Sequence, residues 1–285
     1  MEQPQRRGGE DHLGRRWLGI LVLAIVAGGI AFGIAATRVW WLLPLASAQG
    51  ALVDRIFYTI LAVTATAFVV MHVWLALSLM RSRRRGEVGA IAAPGPFRPA
   101  WMAGPALVVG GGVLLLCVLE VVLLTLSEAD WAKIYSATPD AAAPVEIVGR
   151  QFFWYVRYPG PDGRLGRTNP RWVSPDNPLG IDPRDPAGKD NIVVVNELHL
   201  VVDRPVRVTV GSLDVIHSFF LPNFRVKQDA VPGHPVEIWF TPNREGTYQI
   251  ECSQLCGVGH YTMRGNVTVE SQAAFARWMR TQGRP

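Results

Sequence analysis

The sequence is poor in charge and in cysteine, and both shortages restrict the classes of protein to which it can belong. Only 18% of its 285 residues are charged and 49% are hydrophobic, whereas soluble domains are usually about one quarter charged. A disordered chain or a nucleic-acid-binding arm has the opposite composition, so no nucleic-acid partner is expected. Three cysteines are too few for a disulfide framework. These shortages predict a protein that is partly embedded in a membrane and partly in water.

The excess of positive charge is confined to the first part of the chain. Residues 1–127 contain 11 Lys and Arg against 6 Asp and Glu, whereas residues 128–285 contain 17 of each. The basic residues of the first part flank three long apolar runs, at 17–36, 56–80 and 101–127. About 20 apolar residues suffice to cross a bilayer, so each run predicts a membrane span.

The arginines also predict the orientation of these spans. They are frequent before the first run and in the loop 81–100, but sparse in residues 37–55. Cytoplasmic loops of membrane proteins are enriched in Lys and Arg. We therefore expect the N-terminus and the Arg-rich loop to be cytoplasmic, and the chain after Ser127 to lie outside the cytoplasm.

The first apolar run has two interpretations. Residues 46–48 (Ala-Ser-Ala) have the composition of a signal-peptidase site, and the preceding arginines suit a signal peptide. The run is longer than the apolar part of most signal peptides, however, and Arg38 separates it from the cleavage motif. Residues 1–48 are therefore either a cleaved signal peptide or an additional transmembrane helix over 17–36. The transmembrane hairpin predicted in 49–127 is the same in both cases.

Beyond Ser127 the pattern changes to short runs rich in β-branched and aromatic residues, which Gly, Pro and Asn separate. Many such strands predict an all-β sandwich or barrel in residues 128–285. An irregular insertion is expected at about 159–191, which contains seven Pro and five Gly, and a C-terminal helix at about 272–282. The predicted strands are Glu146 to Tyr158, Glu197 to Val202, Val206 to Ser212, Pro235 to Phe240, Thr247 to Ile250 and Asn266 to Glu270.

One loop concentrates soft metal ligands. It has the pattern Cys252-x3-Cys256-x3-His260-x2-Met263, and His217 precedes its first cysteine. Thiolates, imidazoles and a thioether select copper over hard cations. A site for one copper needs one Cys, two His and a weak axial Met. The second cysteine adds the possibility that two bridging thiolates bind two copper ions, each capped by one imidazole.

Motifs elsewhere in the chain extend this pattern. They are Trp101-x3-Pro105, Gln151-Phe-Phe-Trp154-Tyr, Asp214-Val-Ile-His217-Ser and Val226-Lys-Gln-Asp229-Ala-Val-Pro-Gly233. With the loop of Cys252 to Met263, they make the chain from about Ile56 onward similar to subunit II of bacterial haem–copper cytochrome c oxidase. The resemblance implies a membrane hairpin followed by a cupredoxin-like Greek-key barrel or sandwich.

The resemblance also implies a cofactor and its ligands. The cofactor is a binuclear copper centre, CuA, which contains two copper ions. Its implied ligands are His217, Cys252, the backbone carbonyl of Gln254, Cys256, His260 and Met263. Phe152, Phe153 and Trp154 lie in the family's aromatic segment near the copper, where they would either relay electrons to it or serve only in ordinary strand packing.

The implied function is electron transfer in a respiratory chain. The chain would be the subunit at which electrons enter a terminal oxidase, an oxidoreductase and translocase of the bacterial inner (plasma) membrane, with a periplasmic C-terminal domain. Cytochrome c would donate the electrons, and the haem–copper catalytic subunit I would reduce O2 to water. Other oxidase subunits and membrane lipid are further expected partners. The sequence has no C-x-x-C-H haem-attachment motif, so this chain would not reduce O2 alone.

Three residues depart from the pattern of the resembling family. Gln254 stands where a Glu is usual, Phe152 where the first Trp of the aromatic segment is usual, and Arg98 where many members have a Glu linked to a proton path. Mg2+ and Mn2+ favour charged oxygen ligands. The neutral Gln254 therefore predicts that no such ion is held tightly at the subunit interface.

Other functions fit part of the same pattern. A nitric oxide reductase whose small subunit contains the same copper pair is the main alternative, because the gas chemistry would reside in a partner subunit. A membrane-anchored copper chaperone also uses C-x3-C and a histidine, but with the histidine far downstream and on an α/β fold. A tethered carrier of a single copper is the remaining alternative, and the copper count separates it from CuA.

Overall fold

The computed structural model describes residues 7–39, 43–81, 104–135 and 138–282. The chain divides into two compact units, and each is described by itself. The first unit comprises Met1–Leu42 and Ile56–Ala129, and the second comprises Leu43–Arg55 and Asp130–Pro285. Residues 82–103, which include Arg98 in the predicted Arg-rich loop and Trp101 after it, lie outside the described residues.

The first unit consists mainly of long apolar helices, although residues 48–55 of the second helix and 130–134 of the third belong to the second unit. The helices are α1 (Arg7–Val39), α2 (Ala48–Arg81) and α3 (Gly104–Ile134). Each contains a stretch that is long and apolar enough to cross a membrane, at Arg16–Thr37, Ala48–Met80 and Gly110–Ile134. Helices α1 and α2 approach closely: a methyl group added at Gly19 in α1 would lie only 2.9 Å from the carbonyl oxygen of Ala76 in α2. Small residues allow such close helix packing.

Two helices extend beyond the apolar runs that predict them. Helix α2 begins at Ala48 rather than at residue 56, and α3 continues past Ser127 to Ile134. The added turns contain polar residues, which end an apolar run without ending a helix. Arg55 in α2 donates a hydrogen bond from Nε to Oδ2 of the buried Asp130 in α3 at 2.6 Å. The polar ends of the helices are therefore stabilised by each other's charges.

The second unit contains two five-stranded sheets, with strand orders β3-β2-β1-β5-β8 and β4-β10-β9-β6-β7. The pairs β1–β5 and β4–β10 are parallel, and the other pairs are antiparallel. The strands are β1 (Ala143–Arg150), β2 (Phe153–Tyr158), β3 (Ile192–Val195), β4 (Glu197–Val201), β5 (Val206–Ser212), β6 (His217–Leu221), β7 (Val226–Ala230), β8 (Val236–Phe240), β9 (Gly246–Cys252) and β10 (Arg264–Glu270). The sequence of apolar helices followed by an all-β domain confirms the predicted fold class.

One apolar core lies between the two sheets. Alternate residues of each strand point into it, as the two-residue period of a strand requires. In β5 the inward residues are Val206, Val208 and Val210, while Trp154 and Phe219 fill the centre. Helix α4 (Gln272–Gln282) packs Phe275 and Trp278 and Met279 against this core.

Three strands were not predicted from the sequence. Strand β7 alternates exposed Lys227 and Asp229 with less exposed neighbours at the edge of its sheet, so it lacks an apolar signature. Strands β3 and β6 are only four and five residues long. The predicted strand from Glu146 to Tyr158 is a hairpin of β1 and β2, which turns at Gln151 and Phe152.

The insertion 159–191 is anchored to the β1–β2 hairpin. The buried Arg157 donates hydrogen bonds to the carbonyl oxygen of Gly166 and to Oδ1 of Asn191, at 2.8 and 3.0 Å, and its Nε pairs with Glu146 at 2.6 Å. A small apolar cluster of Val148, Tyr155, Leu179 and their neighbours holds the same segment. The insertion contains two 3-10 turns and isolated bridges but no strand.

The segment Leu43–Arg55 is a docked part of the second unit. Ala46 and Ser47 are fully buried, and Ser47 Oγ donates to the carbonyl oxygen of Phe224 at 2.6 Å. Arg225 forms an ion pair with Asp54 at 2.9 Å. The residues of the predicted signal-peptidase motif therefore contact the β-domain directly.

Candidate metal centre

Three neighbouring strands position the six predicted ligands. His217 is the first residue of β6, and Cys252 is the last residue of β9, which pairs with β6. The loop from β9 to β10 contains Gln254 and Cys256, and it closes with a 3-10 turn from His260 to Thr262 before Met263. Because β9 also pairs with β10, the loop and β6 meet at the same end of the sheet.

The ligand atoms converge around two adjacent sulfurs. Sγ of Cys252 and Sγ of Cys256 are 3.8 Å apart. Nδ1 of His217 lies 3.9 Å from Cys252 Sγ, and Nδ1 of His260 lies 3.6 Å from Cys256 Sγ. The weaker donors complete the group: Met263 Sδ is 3.7 Å from Cys256 Sγ, and the carbonyl oxygen of Gln254 is 3.2 Å from Cys252 Sγ. The structure therefore brings all six predicted residues together.

The centre is buried on the side that faces the core and exposed to solvent on the side of its loop. His217 and Met263 are fully buried and Cys256 is 5% exposed. In the loop above them, Leu255, Val258 and Tyr261 are 77%, 93% and 77% exposed. Exposed apolar side chains concentrated on one loop are typical of a surface that contacts another protein.

The chemistry of the donors suits copper. Burial, together with the adjacent Cys252 thiol, raises the pKa of the Cys256 thiol to about 11, so a cation is needed to hold it as a thiolate at neutral pH. The sulfurs are too far apart for a disulfide, whose S–S bond is about 2.05 Å. A set of two sulfurs, two imidazoles and a thioether suits copper and does not suit the hard cations. The residues present therefore fit a copper site.

Hydrogen bonds behind the ligands orient them. Asp214 Oδ1 lies 2.8 Å from His217 Nε2, which leaves Nδ1 facing the sulfur. Burial raises the pKa of Asp214, but the backbone N–H of Gln151, the His217 imidazole and the backbone N–H of Val215 outweigh it, and the pKa is below its ordinary value. A ligating histidine commonly has such a carboxylate on its other nitrogen.

Sequence reasoning missed the contribution of Gln151. Its Nε2 donates to the carbonyl oxygen of Cys256 at 2.6 Å, and its backbone N–H donates to Asp214 Oδ2 at 2.8 Å. The only sequence signal was its place at the start of the aromatic motif. No local pattern could have indicated a partner 105 residues away.

The three aromatic candidates for electron transfer do not share a surface. Phe152 is partly buried against the loop of Cys252 to Met263, where a methyl group added at Gly259 would lie 2.5 Å from its ring. Trp154 is fully buried, with its ring centroid 5.9 Å from that of His217. Phe153 points the other way and packs against Tyr155. Only Phe152 and Trp154 therefore adjoin the centre.

A family model and relatives found by sequence agree on one family. The model of the family "Cytochrome C oxidase subunit II, periplasmic domain" matches residues 144–271. The alternative cytochrome c oxidase subunit 2 of Bradyrhizobium diazoefficiens is 35% identical over 264 residues, which is 92% of this chain and 91% of that protein. Cytochrome c oxidase subunit 2 of Thermostichus vulcanus is 32% identical and covers 82% of this chain and 76% of that protein. The crystal structure of the periplasmic domain of subunit II of cytochrome oxidase (CoxB) of Bradyrhizobium japonicum is 32% identical, covers 51% of this chain and 96% of that one, and has a TM-score of 0.38.

Proposed function

Because the chain belongs to the cytochrome c oxidase subunit II family, we propose that it is the subunit at which electrons enter a respiratory terminal oxidase. It accepts them from a cytochrome c and passes them to the haem–copper catalytic subunit, which reduces O2 to water. The observation that carries this proposal is the convergence of Cys252, Cys256, His217 and His260 at one end of the β-domain. Association with other oxidase subunits follows from membership of the family.

We propose that these residues bind two copper ions as a CuA centre. The donors divide into two sets that share the adjacent sulfurs: His217 faces Cys252, whereas His260 and Met263 face Cys256. A site for one copper uses one thiolate together with both imidazoles, whereas here each imidazole has its own neighbouring sulfur, and this arrangement supports two ions. When bound, such a pair supplies reversible one-electron redox chemistry with the charge shared between two metals.

The protein contributes rigidity and the exclusion of water. Ligands held by paired strands β6, β9 and β10 keep their positions when the charge changes, which lowers the cost of reorganisation. The buried His217 and Met263 exclude solvent from the core side. The exposed Leu255, Val258 and Tyr261 offer a contact surface for a protein partner, and Phe152 and Trp154 are proposed to provide the aromatic route from it.

We further propose the topology that the arginines predict. The family match supports a chain anchored in a membrane with its β-domain outside the cytoplasm, and so do the three described helices that are long and apolar enough to cross one. The N-terminus and the loop 81–100 would then be cytoplasmic. A reporter fused after Arg85 should be active only inside the cytoplasm, and one fused after Tyr135, beyond the end of α3, only outside it. The opposite pattern would refute the orientation.

Copper content and spectroscopy of the purified full-length chain test the copper pair. We expect two coppers per chain and an EPR spectrum of one unpaired electron coupled to two equivalent copper nuclei. Cys256→Ser should abolish this mixed-valence spectrum, since one thiolate cannot bridge the pair symmetrically. One copper per wild-type chain, with an EPR spectrum from a single nucleus and both cysteines unmodified, would contradict the proposal.

The purified oxidase complex tests the role in respiration. It should consume O2 with reduced cytochrome c as donor, and the complex with Cys256→Ser should lose this activity while its haems remain reducible by dithionite.

The complex should also contain no chelator-resistant Mn2+ after growth on manganese, because the Gln254 side chain is a neutral amide. A stoichiometric Mn2+ EPR signal that disappears in Gln254→Ala would contradict that second expectation.

A further inference from the structure

Gln151 links the two segments that contain the metal ligands. We propose that it is a positioning residue, which fixes the Cys256 loop and the His217 ring relative to each other. The inference rests on the proposed function of the centre, because it assigns a role toward the same copper pair. Gln151 is not itself a ligand, since its side chain is directed at a backbone carbonyl.

Three hydrogen bonds form the link. The side-chain Nε2 of Gln151 donates to the carbonyl oxygen of Cys256 at 2.6 Å. The backbone N–H of Gln151 donates to Asp214 Oδ2 at 2.8 Å, and Asp214 Oδ1 is paired with His217 Nε2 at 2.8 Å. A single residue therefore contacts one thiol-bearing loop directly and one imidazole through a carboxylate.

The place of Gln151 is itself set by strand pairing. It lies in the turn between β1 and β2, whose flanking residues Arg150 and Phe153 are paired across the hairpin. The side chain of Gln151 also lies close against the loop, since a methyl group added at Gly257 would be 2.8 Å from Gln151 Nε2. Gly257 also has a φ of +136°, which a residue with a side chain would adopt only with strain. The β1–β2 turn and the loop at Gly257 therefore both fix the hydrogen bond between Gln151 and Cys256.

The two imidazoles are supported unequally. His217 is fully buried and has Asp214 on its outer nitrogen. His260 is partly exposed, and in the part of the chain that the structure describes its ring has a hydrogen-bonding neighbour only in Cys256. Gln151 therefore acts on His217 through Asp214, and on the loop of Cys256, whose sulfur faces His260. In this way it connects both halves of the centre.

Gln151→Leu isolates the side-chain bond. Leucine has a similar volume and retains the backbone N–H to Asp214, but it cannot donate to the Cys256 carbonyl. Gln151→Glu places an acceptor beside that carbonyl and should have a larger effect. The matched control is Gln249→Leu, because Gln249 is exposed on β9 and its backbone alone pairs with β10.

The full-length chain in detergent provides two readouts. After copper loading, we expect Gln151→Leu to make the two copper hyperfine couplings unequal and to accelerate copper loss to a chelator about 10-fold, the usual scale for residues behind metal ligands. In the metal-free reduced chain, we expect iodoacetamide to alkylate Cys256 several-fold faster than in wild type. Gln249→Leu should match wild type in both measurements.

Wild type and variant together separate this inference from the function on which it rests. If wild type binds two coppers while Gln151→Leu keeps equal couplings, normal copper retention and normal alkylation, the positioning role is refuted and the proposed function stands. A lower melting temperature of the metal-free Gln151→Leu chain with an unchanged copper spectrum would also refute it, because it would indicate only a structural role. If wild type itself does not bind a copper pair, the proposed function fails first.

Discussion

The β-domain contains two histidine–carboxylate pairs with the same separation and different surroundings. His217 Nε2 lies 2.8 Å from Asp214, and His199 Nδ1 lies 2.8 Å from Glu270. The second nitrogen of His217 faces the sulfur of Cys252. The ring of His199 instead stacks on Trp278 in α4, with centroids 3.9 Å apart and an interplanar angle of 10°.

The comparison shows that a paired carboxylate sets the orientation of an imidazole but does not set its role. In both cases the carboxylate fixes the orientation of the imidazole, as such pairs commonly do. The role of the histidine depends on the group on the other side of its ring. The sulfurs beside His217 form a site for a soft metal, whereas Trp278 beside His199 forms a packing contact. The pair at His199 therefore stabilises the attachment of α4 to the sandwich.

The strongest test of this comparison removes each imidazole in turn. We expect His217→Ala to lose at least one of two coppers per chain and the mixed-valence spectrum. His199→Ala should keep both coppers and lose about 1 kcal/mol of stability, because the partly buried Glu270 loses its hydrogen-bond partner. Copper analysis and thermal unfolding in detergent measure the two effects, with the exposed His234→Ala as control. Equal copper loss in His199→Ala and His217→Ala would contradict the distinction.

The next test changes the aromatic partner of His199. Trp278 contacts the rings of Tyr158, Phe275 and His199, so Trp278→Ala should destabilise the domain by about 3 kcal/mol. The copper spectrum should remain unchanged, because the residue contacts none of the ligands. Arg277→Ala on the exposed face of α4 is the matched control and should have little effect. An altered copper spectrum in Trp278→Ala would show that the two regions are coupled.

A smaller effect is expected from the carboxylate of the copper-side pair. The pKa of Asp214 is lower in the folded chain than its ordinary value, which is about 3.9 in an unfolded chain. Such a group contributes stability that is present above about pH 4 and is lost as the pH falls through the folded pKa. The stability difference between the metal-free wild type and Asp214→Asn should therefore shrink as the solution is acidified below about pH 4. A difference that grows on acidification would contradict the assignment.

The smallest effect concerns the surface around the centre. Residues 128–285 have equal numbers of basic and acidic residues, and the exposed Leu255, Val258 and Tyr261 are uncharged. We expect the second-order rate of electron transfer from cytochrome c to fall less than about threefold between 50 and 200 mM salt. Stopped-flow measurements at increasing ionic strength test this, and a steep decline would indicate a local acidic patch that net charge conceals.

Local features of the chain were predictable from the sequence because they depend on neighbours in the sequence. Long apolar runs indicate membrane helices wherever they occur, and the spacing of Cys252, Cys256, His260 and Met263 places four soft donors in one loop. His217 was included in the same group because a copper site of this kind needs a second imidazole, and its motif also resembles that of a known family. The apolar runs did not indicate the full lengths of α2 and α3, since polar turns that contain Arg55 and Asp130 continue each helix beyond its apolar run.

The tertiary structure alone decided which polar groups meet. Nothing in the sequence distinguishes His199, with its carboxylate and tryptophan partners 71 and 79 positions away, from an isolated strand histidine. Gln151 likewise reaches the Cys256 carbonyl only because the β1–β2 turn and the loop after β9 close the same end of the sandwich. Hydrogen bonds and burial between distant residues depend on strand order and register, which are properties of the whole fold. The membrane helices and the donor-rich loop follow from local composition and spacing, whereas the pairing of distant strands sets how those donors are held.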